Sequence, residues 1–277
     1  MICTLYRHQV SEGTLLLVNR CFPMKAGRKR PKLSPVASDV PGTQLQQEAA
    51  QQLHDLIAAV NGQEEMIPVS GFRSRTEQSA LYRNSMRDNG RDFTVKFVAP
   101  PDCSEHQTGL AIDMGLKQEA IDPICPDFPN TGICRKFRQA AAQYGFIERY
   151  PAEKESITGV AREPWHFRYV GVPHAEIMQK NGLTLEEYLY YLKRFPFGGK
   201  PLRFTRRYAE AAEYEIYYAA AKDPALQLNF PAEASVRISG NHIDGFVITI
   251  KSALQKKGVL PYGLGIDEAQ RKSPCVY

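Results

Sequence analysis

The order of apolar and polar positions predicts a chain in which helices and strands alternate. Apolar residues recur at helical spacing across residues 45–60, and Asn61 and Gly62 end this helix with residues suited to a left-handed terminus. An apolar run at residues 66–70 predicts a strand, and Ser74 to Glu77 then form a capping box that begins a second helix. Another apolar run, at residues 14–18, predicts a further strand. Such a mixture is typical of an α+β protein.

Two of the predicted strands place polar residues opposite an apolar face. Residues 109–114 alternate in polarity, with aliphatic side chains on one face and Asp113 on the other. Residues 165–170 alternate in the same way, with aromatic side chains on one face and His166 and Arg168 on the other. A rigid sheet could therefore aim Asp113 and His166 into one cleft.

The pattern changes from Phe197 onward, where Gly198 and Gly199 indicate a linker. Alternating runs follow at residues 213–218, 235–239 and 246–251. Gly240 and Asn241 separate the last two runs and predict a hairpin. We therefore expect a domain of residues 1–195 and a small C-terminal module of residues 196–277, α+β or β-rich, whose role the sequence leaves open.

Composition narrows the class of protein. The 277 residues include 35 Lys and Arg against 30 Asp and Glu, and the net charge of +5 is far from the basic stripe of a nucleic-acid-binding protein. No apolar run approaches the roughly 20 residues that span a bilayer, and the N-terminus lacks the layout of a signal peptide. We expect a cytoplasmic protein with no membrane span and no nucleic-acid partner.

The six cysteines include no Cys-x-x-Cys pair, so neither a cysteine zinc site nor a redox motif is indicated. Cys125 and Cys134 could close a short loop in an oxidising compartment. Free thiols are the default in the cytoplasm.

Three residues have the chemistry of zinc ligands. His106 precedes Asp113 by seven positions, and His166 follows much later in the chain. Two imidazoles and one carboxylate would leave a fourth position for water, as in catalytic zinc sites. The spacing differs from the H-E-x-x-H helix of common zinc proteases. Spacing alone is weak evidence, because isolated histidines are usually satisfied surface or core residues.

Two further residues suit catalysis. Glu163 precedes His166 by three positions and could act as a general base beside a metal, although an ion pair with Arg162 or Arg168 would account for it equally well. Arg73 lies at the predicted strand-to-helix turn, where ligands often bind, but a pair of surface arginines with Arg75 is an alternative. The residues together favour a zinc hydrolase.

Four separated motifs carry a family resemblance, namely residues 70–74, 104–113, 144–150 and 163–171. They resemble, in the expected order, the VanY and VanXY group of zinc D,D-peptidases of cell-wall metabolism and glycopeptide resistance. The resemblance runs from about Leu15 to Phe195. It implies an α+β fold with helices around a small central antiparallel sheet, and a Zn²⁺ cofactor.

The resemblance also implies roles for individual residues. His106, Asp113 and His166 match the zinc ligands, and Glu163 matches the catalytic base. Arg73 matches the arginine that stabilises the oxyanion. Ser104 and Gln78 match positions that hold the terminal D-Ala of the substrate.

The implied substrate is D-Ala-D-Ala, as the end of a peptidoglycan precursor or as the free dipeptide. Alternatives are an L,D-carboxypeptidase or cell-wall endopeptidase of the same fold, and a non-catalytic cell-wall-binding protein. The preference between dipeptide and precursor and the oligomeric state are left open.

Overall fold

Helices and strands alternate in the first part of the chain, and strands dominate the remainder. The computed structural model describes residues 2–25, 30–37, 40, 42–207 and 211–253. The strands are β1 (Ile2–Tyr6), β2 (Leu33–Pro35), β3 (Gln44–Gln46), β4 (Met66–Ser70), β5 (Ala111–Leu116), β6 (Phe146–Tyr150), β7 (Glu163–Tyr169), β8 (Leu202–Arg206), β9 (Ala212–Ala220), β10 (Ala225–Asn229), β11 (Ser235–Gly240) and β12 (Gly245–Ala253). The α-helices are α1 (Gln47–Ala59), α2 (Arg75–Asp88), α3 (Gly90–Phe97), α4 (Gly132–Ala140), α5 (Glu155–Thr158), α6 (His174–Asn181) and α7 (Leu185–Leu192).

Four antiparallel strands form a central sheet in the order β4–β5–β7–β6. Asp113 on β5 is the direct partner of Ser70 on β4 and of His166 on β7. On the apolar face of this sheet, helices α1 and α4 contribute to one buried cluster, whose members include Leu53, Ile112, Phe137 and Phe167. Each such buried side chain contributes roughly 1.5–3 kcal/mol. The predicted fold, helices around a small central antiparallel sheet, is confirmed.

A second antiparallel sheet, in the order β11–β12–β9–β8, follows residues 198–199, where the sequence predicts a linker. The predicted hairpin is present, because Gly240 at the end of β11 lies opposite Phe246 near the start of β12. The N-terminal strand β1 pairs antiparallel with β10. The β-rich character predicted for the C-terminal module is confirmed, and the first residues of the chain lie beside one of its strands.

A buried apolar cluster joins the two parts of the chain. Leu15 and Leu17 lie in it together with Leu185 and Leu189 of α7 and Ile216 of β9. The second sheet therefore packs on the preceding part of the chain through aliphatic side chains.

The strand predicted at residues 14–18 is wrong. The segment is buried but belongs to no ladder. Arg168 donates hydrogen bonds from Nη2 to the carbonyl oxygen of Thr14, at 2.8 Å, and to that of Leu16, at 2.9 Å. A side chain thus takes up backbone groups that a neighbouring strand would otherwise bind.

In the part of the chain that the structure describes, no helix combines the length and apolarity that a membrane crossing requires.

Candidate metal centre and active-site cleft

Two strands and one short turn of helix bring the three proposed metal ligands together. Asp113 projects from β5, His166 from β7, and His106 from a single 3-10 turn at Glu105–Thr108. Their ligand atoms all lie within 4.8 Å of one another, and all three residues are buried. Residues distant in sequence therefore form one compact donor set.

The ring nitrogens of His106 have distinct partners. Nδ1 lies 2.7 Å from the carbonyl oxygen of Gly71, so it must carry the proton and donate it. Nε2 is consequently unprotonated and carries a lone pair, and it is buried without a hydrogen-bond partner. It lies 3.1 Å from Asp113 Oδ2. An orphaned nitrogen beside a carboxylate fits a bound cation, because zinc accepts both donors at about 2.0–2.2 Å.

His166 approaches the same carboxylate from the other side. Its Nδ1 lies 2.9 Å from Asp113 Oδ1, so the two imidazoles flank Asp113. The two rings meet edge to face, with centroids 5.0 Å apart. Two nitrogens and one carboxylate make up a donor set that suits zinc.

Electrostatics favour the ligand forms of two of these residues. Burial, reinforced by the nearby Arg73, lowers the pKa of His106 to about 4, so this imidazole is neutral. Burial would by itself raise the pKa of Asp113, but the two histidines outweigh it and hold that pKa below its usual range. The pKa of His166 is raised to about 9, because the nearby carboxylates of Asp113 and Glu105 outweigh burial, so a metal would displace a proton from this ring.

Glu163 lies at the start of β7, beside the donor set. Its Oε2 is 3.7 Å from Nδ1 of His166, and burial raises its pKa to about 8. Among the described residues no ion pair joins it to Arg162 or Arg168, and Arg168 instead contacts Glu105. The alternative explanation of Glu163, an ion pair with Arg162 or Arg168, therefore does not hold in the structure.

Arg73 and Arg75 have different environments, although they are close in sequence. Arg73 Nη2 lies 3.8 Å from Asp113 Oδ2, and its Nε is buried without a hydrogen-bond partner. Arg75 is exposed and binds Asp102 through Nε at 2.8 Å. Arg73 is therefore part of the cleft, and Arg75 is a surface residue.

A cavity of about 350 Å³ opens beside the donor set. Ser104, Arg73 and Glu163 line it with the three proposed ligand residues. Its remaining wall is largely apolar and includes Leu81, Val95, Phe97, Ile124, Ile157 and Trp165.

Gln78 does not line this cavity. Its Nε2 donates to the carbonyl oxygen of Ala99 at 2.7 Å, and Ala99 does line the cavity. Its Oε1 is buried without a hydrogen-bond partner. The structure therefore places Gln78 behind the wall of the cleft.

Sequence reasoning missed a buried ion cluster behind His166. Glu105 binds Arg149 and Arg168, which are 1% and 0% exposed. Tyr150 was missed as well: it lines the cavity and packs on the ring of His166. The sequence does contain an indication of this cluster, because Arg149 and Arg168 are charged residues within strands whose other residues are largely apolar.

A buried His–Asp–His donor set that could hold a metal ion, with an adjacent carboxylate and arginine facing the same cleft, is an arrangement typical of metal-dependent hydrolases. The D-alanyl-D-alanine carboxypeptidase family VanY matches residues 42–172, which include every one of these residues. The bifunctional D-Ala-D-Ala dipeptidase and carboxypeptidase VanXYC of Enterococcus gallinarum is 44% identical over 181 residues, which is 65% of this chain and 95% of the relative. The chain belongs to this family of peptidases, as its motifs predict.

Solved structures agree in fold. The vancomycin resistance D,D-dipeptidase VanXYg, solved with a D-Ala-D-Ala phosphinate analogue, is 45% identical and has a TM-score of 0.86 over 91% of this chain and 99% of that chain. A variant of the D,D-pentapeptidase VanY from a VanB-type resistance cassette, solved with Zn(II), is 30% identical and has a TM-score of 0.52 over 64% of this chain and 98% of that chain.

Proposed function

We propose that this protein is a zinc-dependent D,D-peptidase that hydrolyses the amide bond of D-Ala-D-Ala. The substrate is the end of a peptidoglycan precursor, the free dipeptide or both, and the setting is cell-wall metabolism or glycopeptide resistance. One observation carries the proposal: the buried ligand atoms of His106, Asp113 and His166 converge within 4.8 Å in a cleft shared with Glu163 and Arg73. The names of the relatives support the substrate class.

His106 Nε2, His166 Nδ1 and a carboxylate oxygen of Asp113 would hold the zinc ion. When bound, zinc polarises a carbonyl group and lowers the pKa of water. The neutral state of His106 and the ionised state of Asp113 both suit this role.

Glu163 is the proposed proton carrier. Its Oε2 accepts a proton from the attacking water and then delivers it to the leaving amine nitrogen. Burial raises the pKa of this carboxyl to about 8, so it can both accept and release a proton near neutral pH. Cleavage is direct, since no serine or cysteine nucleophile with a paired base lies in the matched motifs.

Arg73 is the proposed oxyanion partner. Its buried Nε–H has no hydrogen-bond partner, and its guanidinium faces the cleft beside Asp113. A carbonyl oxygen that gains negative charge would satisfy this donor, and such preorganised donors lower the barrier.

Ser104 and Gln78 have proposed roles in holding the terminal D-Ala. Ser104 lines the cavity and could reach the substrate directly. Gln78 would act through the Ala99 segment, to which its amide is bonded. The cavity volume of about 350 Å³ lies at the small end of ligand sites, which suits a dipeptide or a peptide terminus.

The division at residues 195 and 196 separates a catalytic domain from a module that braces it, because Ile216 shares a buried cluster with Leu185 and Leu189. A cytoplasmic location agrees with the five cysteines in the described part of the chain, which are all free thiols.

Substrate assays test the function. Zinc-loaded protein is incubated separately with D-Ala-D-Ala, with a pentapeptide ending in D-Ala-D-Ala and with an L,D-tetrapeptide, and released D-Ala is measured. Release from either of the first two substrates supports the proposal. Release from the tetrapeptide alone would identify an L,D-carboxypeptidase, and zinc binding without release from any substrate would indicate a binding protein.

A further inference from the structure

The side chain of Glu105 is completely buried and has two different oxygen environments. Oε1 accepts hydrogen bonds from Arg149 Nε at 2.9 Å and from Arg168 Nη1 at 2.8 Å. Oε2 has no hydrogen-bond partner and lies 3.6 Å from Nε2 of His166. One oxygen is thus committed to the arginines, and the other faces the metal-ligand histidine.

The arginines that hold Glu105 are themselves fixed. Arg149 forms a bidentate ion pair with Glu186, in which Nη1 donates to Oε2 at 2.9 Å and Nη2 donates to Oε1 at 2.7 Å. Arg168 is anchored to the backbone carbonyl of Tyr169 at 3.1 Å. Two arginines and two glutamates balance in charge, and buried ions persist when they are paired in this way. Glu105 is therefore held rigidly as a carboxylate, which can only accept hydrogen bonds.

The ring of His166 presents the complementary arrangement. Its Nδ1 faces Asp113 and Glu163, on the side of the cleft. Its Nε2 is buried and has no hydrogen-bond partner, and Glu105 lies on that side. A neutral imidazole carries one proton, so a proton on Nε2 leaves the lone pair of Nδ1 for a metal.

We propose that Glu105 is a positioning residue that accepts the Nε2–H of His166 and so holds Nδ1 towards the metal. The inference rests on the proposed zinc site. The separation of 3.6 Å is slightly longer than a hydrogen bond, and a cation on Nδ1 would strengthen Nε2–H as a donor by polarising the ring. Gly71 performs the same task for His106 through a backbone carbonyl.

The competing explanation is that Glu105 only neutralises Arg149 and Arg168. Glu186 provides a matched control, because it also neutralises Arg149 but contacts neither metal-ligand histidine among the described residues. Glu186→Gln removes a charge from the same cluster without changing the environment of His166. Glu105→Gln keeps the size of the side chain but can turn an amide N–H towards Nε2.

Zinc affinity separates the two explanations. The parent, E105Q and E186Q are compared by competition with a chromophoric chelator, and thermal unfolding is recorded for each. We expect E105Q to bind zinc about 10–100-fold more weakly than the parent, the usual cost of losing such a partner. E186Q should stay within about threefold of the parent, even where both variants unfold at lower temperature. Equal zinc affinity of E105Q and E186Q would overturn the positioning role.

A measurement on the parent alone covers the case in which E105Q does not fold. In zinc-loaded protein labelled with ¹⁵N-histidine, long-range ¹H–¹⁵N spectra should place the His166 proton on Nε2, with a downfield shift typical of a carboxylate acceptor. A proton on Nδ1, or an Nε2 proton without that shift, contradicts the inference. Failure of the parent to bind zinc would instead remove the proposed function itself, so the two failures are distinguishable.

Discussion

Asp113 Oδ1 and His166 Nδ1 lie 2.9 Å apart because the two residues are direct partners across β5 and β7. The register of a sheet, rather than a flexible loop, therefore sets the spacing of two proposed ligands. A slip of one residue would turn one of these side chains to the opposite face of the sheet, so the fold and the site depend on the same strand pairing.

Replacing Asp113 should remove the metal without requiring loss of the fold. Asp113→Ala deletes the carboxylate between the two imidazoles, and we expect zinc affinity to fall by at least about 100-fold, more than for a supporting residue. Ser70→Ala is the matched control, because Ser70 is the partner of Asp113 on β4 but is not in the donor set. Zinc content after dialysis is the measurement. Retention of one zinc per chain by D113A would contradict this ligand assignment.

Replacing Glu163 should separate metal binding from turnover. Glu163→Gln keeps the shape of the side chain but cannot accept a proton, so kcat should fall about 10²–10⁴-fold while zinc stays bound. Glu155→Gln, an exposed glutamate at the start of α5, should change kcat less than twofold. D-Ala release and zinc content are measured on the same samples. Turnover by E163Q at the parent rate would exclude a proton-carrying role.

Arg73 and Arg75 provide a matched pair for the oxyanion proposal. Arg73→Ala should lower kcat about 10²–10³-fold with a smaller change in KM, because the interaction strengthens as charge develops. Arg75→Ala removes an exposed ion pair with Asp102 and should leave both constants within about twofold. Steady-state kinetics with D-Ala-D-Ala give both values. Similar losses for the two variants would point to a general charge effect.

Strand periodicity explains why the site was largely predictable. Alternation in residues 109–114 and 165–170 assigned Asp113 and His166 to polar faces, because successive side chains in a strand point to opposite faces of the sheet. The structure brings them together with His106, in the donor set that the motifs predicted. Alternating patterns and family motifs lie within short segments, so the sequence alone indicates which side chains belong to the candidate site.

Long-range pairing explains what could not be predicted. Glu105 lies 44 residues from Arg149 and 63 from Arg168, and no local pattern links such positions. Residues 14–18 were predicted to form a strand because the sequence shows that they are apolar. The sequence does not show that the side chain of Arg168 binds the carbonyl groups of this segment. Burial of an arginine depends on a partner that only the tertiary fold supplies.

Removing zinc should abolish activity and lower the unfolding temperature together. In the metal-free protein the orphaned Nε2 of His106 stays buried, and a ligand that binds only the folded state stabilises it by mass action. At 100 times the Kd this amounts to about 2.7 kcal/mol. Unfolding is recorded after chelation and again after zinc is restored. An unfolding temperature that does not respond to zinc would show that the folded chain has no such site.

The C-terminal module should stabilise the catalytic part through the cluster around Ile216. This side chain is 0% exposed and shares the cluster with Leu185 and Leu189, so Ile216→Ala should lower the free energy of unfolding by about 2–5 kcal/mol. Tyr190→Ala on the same helix as the two leucines is the control, because Tyr190 is 77% exposed and its loss should cost less than about 0.5 kcal/mol. Denaturant unfolding is followed by circular dichroism and by loss of D-Ala release. Coincident curves that shift together in I216A mean that the catalytic part depends on the module, whereas activity that survives a first transition would mean that the two parts are independent.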